Sequence, residues 1–296
     1  MCGIVGLFLK DDRLQPELGA LLSDMLISMT DRGPDSAGVA IYGPAEAGMT
    51  KITVQSDRPA ADFPALEAAL ADQAVRIAPH DSHALIRVPD ALAARIAARL
   101  PEIAPGARLR GQGAAIEIYK ETGLPAQVVD RFGLRRMAGT HATGHTRMAT
   151  ESAVTTDGAH PFSTGPDECL VHNGSLSNHN NLRRAMQRDG VRFATENDSE
   201  VAAAYLTHRM AQGDDLKTAL ERALRELDGF YTFVVGTRDG FGVLRDPIAC
   251  KPAVMAETDA YVAFGSEYRA LVGLPGIDTA RVWEPEPATV YFWRRA

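Results

Sequence analysis

Met1-Cys2-Gly3-Ile4-Val5-Gly6-Leu7-Phe8 opens the chain. The stretch lacks the positive region and cleavage site of a signal peptide. It reads instead as a strand that begins almost at the first residue, with Ile4, Val5, Leu7 and Phe8 as buried apolar positions. The chain start is therefore expected inside the fold. Cys2 becomes the first residue once Met1 is removed, and a small second side chain permits that removal. One residue then carries both a thiol and a free α-amino group, and the amine, with a pKa of about 8, can take the thiol proton without a histidine partner. Taken alone, a Met-Cys start reads more simply as a small buried residue near a strand start.

Outward from that strand, Leu18, Leu21, Leu22, Met25, Leu26 and Met29 recur in steps of three and four and predict an amphipathic helix over 16–30. It stops before Arg32-Gly33-Pro34-Asp35. Strand-like runs follow at 37–42 and 50–55. Residues 57–138 then turn rich in Ala, Pro and Arg, with helices expected at 63–73, 90–100 and 125–132 and strands at 84–88 and 114–119. That alternation reads as a small β/α insertion. From 141 onward, strands are expected at 141–146, 168–172, 230–236, 241–245, 252–256, 260–264 and 288–293, with helices at 178–189, 198–212 and 214–227. Many strands with helices gathered in blocks favour an α+β layered sandwich over a strictly alternating βαβ fold.

Composition removes several function classes. The 296 residues are 45% hydrophobic, enough to bury a core, and 31 basic against 38 acidic residues give a net charge of -7. No basic run forms the stripe that nucleic acid or an anionic membrane would require. No stretch approaches the roughly 20 apolar residues of a membrane span. Cys2, Cys169 and Cys250 are odd in number and widely spaced, which reads as free thiols in a reducing cytoplasm. Paired Cys-x-x-Cys zinc motifs are missing.

Three segments place polar groups where interior strands should continue apolar or where a helix opens: Gly144-His-Thr-Arg147, Val171-His-Asn-Gly174 and Asn197-Asp-Ser-Glu200. An arginine there can make the planar, bidentate contact that a carboxylate favours. Asp198 can meet an ammonium group, and Asn173 with the unhindered amide of Gly174 can form an oxyanion hole. Together with the thiol these groups describe acyl transfer on a free α-amino acid bearing a side-chain carbonyl, for which glutamine is the natural candidate. Plainer readings exist for single residues. Asp198 before Ser-Glu-Val-Ala is a good helix N-cap, and an isolated arginine such as Arg147 pairs more often with an internal carboxylate. His141 and His145, four apart in a Gly-flanked strand, are not expected to converge on a metal. His160, His172 and His179 are expected to serve structural hydrogen bonds, and Cys169 and Cys250 to be core or loop residues.

Cys2-Gly-Ile-Val-Gly, Arg32-Gly-Pro-Asp-Ser-Ala-Gly38, Gly144-His-Thr-Arg-Met-Ala-Thr150, His160-Pro, His172-Asn-Gly-Ser-Leu-Ser-Asn178 and Asn197-Asp-Ser-Glu200 follow one another in the order of a known family. By these motifs, which cover about 1–55 and 139–270, the chain resembles the class II glutamine amidotransferases of the N-terminal nucleophile type. The resemblance implies a four-layer αββα sandwich of the N-terminal nucleophile hydrolase type over 2–296, with 57–138 inserted in it. It also implies Cys2 as nucleophile, Arg32 as a positioning arginine, Arg147 and Thr150 as glutamine carboxylate contacts, Asn173 and Gly174 as the oxyanion hole, and Asp198 as the ammonium contact. Met148 stands where many relatives have Trp, and Glu151 where they have His, which points to a differently lined glutamine pocket.

Relatives that complete a product carry an acceptor-modifying domain on the same chain, whereas here the strand expected at 288–293 still belongs to the sandwich. The expectation is a free-standing glutaminase subunit that hydrolyses glutamine through a Cys2 thioester and passes ammonia to a separate protein. The resemblance is strongest to the amidotransferase subunit of glutamate-synthase-like systems, in particular N-methylglutamate synthase. FMN and any iron–sulfur cluster would then belong to the partner, since this chain has neither clustered cysteines nor a glycine-rich dinucleotide loop. Two other readings keep parts of the motif set: a stand-alone γ-glutamyl amide hydrolase, and a catalytically silent subunit that binds glutamine and signals through its partner.

Overall fold

A computed structural model describes residues 2–149 and 153–295. In chain order the first half contains β1 (Gly3–Leu9), α1 (Leu18–Ile27), β2 (Ser36–Tyr42), β3 (Met49–Ser56), α2 (Pro59–Leu70), β4 (Arg76–His80), β5 (His83–Pro89), α3 (Asp90–Ile103), β6 (Ala107–Gly113), β7 (Ile116–Thr122), α4 (Pro125–Phe132) and β8 (His141–Arg147). The second half adds β9 (Glu168–Leu176), α5 (His179–Arg188), α6 (Asp198–Ala211), α7 (Leu216–Glu226), β10 (Gly229–Thr237), β11 (Gly240–Arg245), β12 (Val254–Glu257), β13 (Tyr261–Gly265), β14 (Arg281–Trp283) and β15 (Thr289–Arg294).

Two antiparallel sheets face each other, one in the order β14-β12-β13-β1-β8-β2-β7 and one in the order β15-β11-β10-β9. The first strand shows how the sequence selects this arrangement. Val5, Leu7 and Leu9 join the apolar cluster formed with α1 and α4, while Ile4 and Phe8 join Val171, Val234 and Phe241 of the opposing sheet. A strand covered on both faces needs no polar alternation, and Gly3–Leu9 is buried throughout. Gly6 faces the second sheet so closely that a Cβ there would lie 2.8 Å from the Phe241 ring. Helices α5, α6 and α7 cover the outer face of the four-stranded sheet through Met186, Val201, Leu206, Leu220 and their neighbours. The layers therefore run helix, sheet, sheet, helix, which is the α+β αββα sandwich expected from the sequence.

A third sheet, β4-β5-β3-β6, carries α2 and α3 on one face and has its own core around Ile52, Val54, Phe63, Leu66, Ile86 and Ile96. Within 57–138, β7 and α4 belong instead to the seven-stranded layer, while β3, which precedes that segment, lies in the small sheet. The helix expected over 16–30 is α-helical only from Leu18 to Ile27, with 3-10 turns at Asp12–Glu17 and Thr30–Arg32 on either side. Strands β4, β6 and β14 were not expected. The strand expected at 114–119 begins at Ile116, and the amides of Ala114, Ala115 and Ile116 are all held by the Asp167 carboxylate, at 2.7, 2.8 and 3.0 Å. Among the described residues no helix is long and apolar enough to cross a membrane.

Candidate active site

Cys2 stands half-buried immediately before β1, its Sγ 3.8 Å from the carbonyl oxygen of Met148. Its own carbonyl oxygen accepts from Arg32 Nε at 2.9 Å and from Asn173 Nδ2 at 3.2 Å. Arg32 comes from the turn after α1, is buried, and donates through Nη1 to Glu267 Oε1 at 2.7 Å. That bond, with help from Arg269, holds the Glu267 carboxyl below its ordinary range. Arg32 is therefore braced by a carboxylate on one side and grips the main chain of Cys2 on the other.

Asn173 and Gly174 lie near the far end of β9, which runs to Leu176 where the sequence suggested an end at 172. Asn173 Nδ2 also reaches Ser266 Oγ at 3.3 Å, and its Oδ1 lies 3.2 Å from His145 Nε2. His145 Nε2 is also 3.2 Å from the carbonyl oxygen of His172. Facing two acceptors, that nitrogen must carry the proton, which fixes Oδ1 of Asn173 toward His145 and Nδ2 toward Cys2. Gly174 has φ +142°, and a Cβ there would lie 1.9 Å from the Phe230 carbonyl oxygen, so only glycine fits.

Arg147 ends β8 and is buried. The register that pairs Gly3 with Thr146 brings Cys2 level with Arg147. Its Nη1 donates to the Ala153 carbonyl at 3.3 Å, and its own carbonyl accepts from the Asp35 amide at 3.1 Å. Asp35 Oδ2 in turn accepts from the Ala149 amide at 2.8 Å, so the Arg32–Asp35 turn clamps the end of β8. Thr150 and Glu151, like Met1, lie outside the described residues.

Asp198 opens α6 but does not cap it. The N-cap is Asn197, with φ -70° and ψ 136° and its side chain accepting from the Ser199 amide. The extended conformation falls on Asn197, so the Asp198 carboxylate is free to accept from the Leu176 amide at 2.9 Å, two residues beyond Gly174. Cys2, Arg147, Asn173 and Gly174 thus lie at the same end of β1, β8 and β9, where Arg32 and Asp198 bond to Cys2 and Leu176.

Behind them lies a buried imidazole cluster, of which His160 and His172 were expected to serve structural hydrogen bonds and His145 was expected only not to hold a metal. His145 stacks on His160 at 4.0 Å between ring centres, and Ser199 Oγ is 2.9 Å from both His160 Nε2 and His172 Nδ1. Burial pushes His145 down to about 3 and lowers His160 and His172 as well, so all three are neutral at pH 7. A serine hydroxyl has one hydrogen, so it donates to one ring and accepts from the other. Ser199, Ser266 and Glu267 were missed by sequence reading; polar residues directly after the β13 strand were the available signal for the last two. His141 is elsewhere, stacked on Tyr42 with Nε2 2.9 Å from the Thr237 carbonyl oxygen. Cys169 is buried beside Tyr42 and Thr143, and Cys250 is exposed. Among the described residues no group of three or more His, Cys, Asp or Glu is placed to share a metal ion.

The segment from Ala153 to Pro161 is tied down from the small sheet and β7. Arg110 of β6 pairs with Asp157, Glu121 accepts from the Thr156 hydroxyl, and buried Lys120 donates to the Ala159 carbonyl oxygen at 2.6 Å.

Residues 145–273 match a family model described as a glutamine amidotransferase domain. The chain is 67% identical over 295 residues to the glutamine amidotransferase-like protein GlxB of Rhizobium meliloti (strain 1021), covering 99% of this chain and 98% of that one. It superposes on the structure of the allosteric regulatory enzyme of purine biosynthesis with TM-score 0.65 and 19% identity, over 99% of this chain and 47% of the other. The glutamine phosphoribosylpyrophosphate amidotransferase from B. subtilis gives TM-score 0.62 and 19% identity, over 99% and 49%. This chain spans about half the length of those two structures, and at that identity the likeness is one of fold.

Proposed function

This chain belongs to the class II glutamine amidotransferase family, and we propose that it hydrolyses L-glutamine to glutamate and ammonia at Cys2 and delivers the ammonia to a separate synthase subunit. The observation that carries the reading is the grip of Arg32 and Asn173 on the Cys2 carbonyl, which holds the main chain of Cys2 next to Asn173 and, by the Gly3–Thr146 register, level with Arg147.

In the proposed reaction Sγ attacks the side-chain carbonyl carbon of glutamine while the thiol proton passes to the α-amine of Cys2, freed by loss of Met1. Asn173 Nδ2 and the Gly174 amide stabilise the tetrahedral oxyanion. The C–N bond breaks, the amine returns the proton, and ammonia leaves a γ-glutamyl thioester. Water then cleaves the thioester to glutamate and restores the thiol. Arg147, with Thr150, holds the substrate carboxylate, Asp198 its ammonium, and Arg32 positions Cys2.

For the acceptor we favour a flavin-bearing, glutamate-synthase-like chain of the N-methylglutamate synthase kind, with FMN and any iron–sulfur cluster on that partner and the assembly in the cytoplasm. Residues 2–296 then act as the amidotransferase domain, with the inserted unit running from β3 to β6, Met49 to Gly113, and not over 57–138.

The test is intact mass spectrometry before and after exposure to a glutamine-like diazo-ketone. The expected result is loss of Met1 and one adduct mapping to Cys2, absent in Cys2→Ala. Retained Met1, or processed protein that takes no label, would overturn the catalytic reading in favour of a silent glutamine-binding subunit. A preference for other γ-glutamyl amides over glutamine would favour the stand-alone hydrolase.

A further inference from the structure

At the opposite end of β9 from Asn173, the start of that strand, the β10–β11 turn, the end of β15 and the α6–α7 turn border a half-open cavity of about 550 Å³. Met210, Leu216 and Phe292 give it apolar walls, and Glu168 and Thr207 stand together in its lining. Glu168 is five residues from Asn173, or about 17 Å along an extended strand.

Glu168 is 2% exposed. Its Oε2 accepts from Thr207 Oγ1 at 2.6 Å, and Thr207 Oγ1 is 2.7 Å from Thr164 Oγ1. Oε1 is buried with no hydrogen-bond partner among the described residues. A buried carboxyl oxygen left unmet is unfavourable by about 1–3 kcal/mol, so its retention in a cavity wall calls for a reason outside the fold. The charges nearby do not supply one. Asp215 of α7 is held below its ordinary range by its capping bond to the Thr218 amide and, further down the order of causes, by Arg294. Arg238 and Asp239 stand side by side in the turn, and Asp167 is occupied by the amides of Ala114, Ala115 and Ile116.

We propose that this cavity binds a small organic amine on an apolar body, with the ammonium group donating to Glu168 and the body against Met210, Leu216 and Phe292. A purely apolar ligand would leave Oε1 unmet. Burial pushes the free Glu168 carboxyl up to about 8, opposed only by the Thr207 bond, so it is protonated at pH 7. Tyr42 and Cys169, on its inner side, are also raised by burial and stay neutral. Binding of an ammonium ion favours the carboxylate, and the carboxyl proton passes to the buffer.

The experiment is calorimetric titration of the full chain with 2-phenylethylamine and with uncharged 2-phenylethanol, at pH 7 in two buffers of different ionisation heat. The amine is expected to bind with release of close to one proton, and the alcohol at least tenfold more weakly. Amine affinity should rise nearly tenfold from pH 6 to pH 7 and level off above pH 8. Glu168→Gln should weaken amine binding at least tenfold and abolish the release. Ala211→Trp, at an exposed position of the cavity wall, should block the site while leaving the carboxyl in place. Absence of amine binding at millimolar concentration, equal binding of the alcohol, or binding indifferent to both substitutions would overturn the proposal. Labelling of Cys2 by the diazo-ketone is independent of each of these outcomes.

Discussion

The side-chain amide of Asn173 lies 3.2 Å from the carbonyl oxygen of Cys2 and points its other polar atom at His145. One side chain therefore joins the main chain of the proposed nucleophile to the buried histidine cluster. In Asn173→Ala the oxyanion loses a donor, and kcat is expected to fall by about 10²–10³ with little change in KM. His145 and Cys2 each lose a partner, so urea denaturation should also show a loss of about 1–3 kcal/mol. An unchanged kcat would remove Asn173 from the oxyanion hole.

Arg147→Ala separates binding from chemistry. The guanidinium is buried beside the Ala153 carbonyl and its proposed substrate contact is the α-carboxylate, which does not change during the reaction. Binding that is uniform between ground and transition states appears in KM. We expect KM for glutamine to rise at least tenfold while kcat falls much less, as read by steady-state glutaminase kinetics; an unchanged KM would remove the carboxylate role.

Gly174→Ala tests the backbone alone. The new Cβ would sit 1.9 Å from the Phe230 carbonyl oxygen, at a φ of +142° that side chains rarely adopt. Strain of about 1–3 kcal/mol adds to the displacement of β10, and the midpoint of urea denaturation should fall accordingly. Midpoints within error of wild type would show that β9 and β10 can separate there without loss.

Why these relationships were only partly visible in the sequence is a matter of which forces act locally. Gly3–Leu9 announced a buried strand through its apolar run, and α1 announced itself by spacing. Strand β4, Arg-Ile-Ala-Pro-His, is an edge with little burial, β6 alternates Arg with Gly and Leu, and β14 has three residues, so none carries a periodic signal. The site motifs were legible as residue types, but their couplings were not. Asn173 meets Cys2 across 171 positions and Arg32 meets Glu267 across 235, separations that only the packed sheets create. Asn197 took the N-cap from Asp198 because the two compete for one extended position, and composition ranks them equally.

Arg110→Ala probes the reach of the small sheet into the site. Arg110 comes from β6, pairs with Asp157, and so steadies the segment whose first described carbonyl, Ala153, is bound by Arg147. Loss of the pair is expected to raise KM for glutamine severalfold with kcat nearly unchanged, while the thermal midpoint falls, because the Arg110 side chain is buried and also donates to buried Gln55. A KM equal to wild type would show that the small sheet does not steady this segment for binding.

Stability should depend on pH with a sign set by buried imidazoles. Burial holds His83, His141 and His145 at about 3 and lowers His160 and His172, against 6.5 for the ordinary group. Below pH 6.5 the unfolded chain takes up protons that the folded chain refuses, so stability is fully present above that value and is lost as pH falls toward 3. Each such histidine contributes a slope approaching about 1.4 kcal/mol per pH unit. Glu168 acts in the other direction. Its carboxyl rises from 4.5 to about 8 on folding, so the folded chain holds an extra proton between those values and loses stability as pH climbs through them. Several histidines outweigh one glutamate below pH 6.5. At higher pH Glu168 is opposed by buried Lys120, whose ammonium form burial disfavours in the folded chain, so the two act in opposite directions. Urea denaturation from pH 5 to pH 7 should therefore show stability rising with pH. His141→Gln should reduce that slope by one proton, and Glu168→Gln should make it steeper; a profile flat between pH 5 and pH 7 would mean that these rings are not buried neutral.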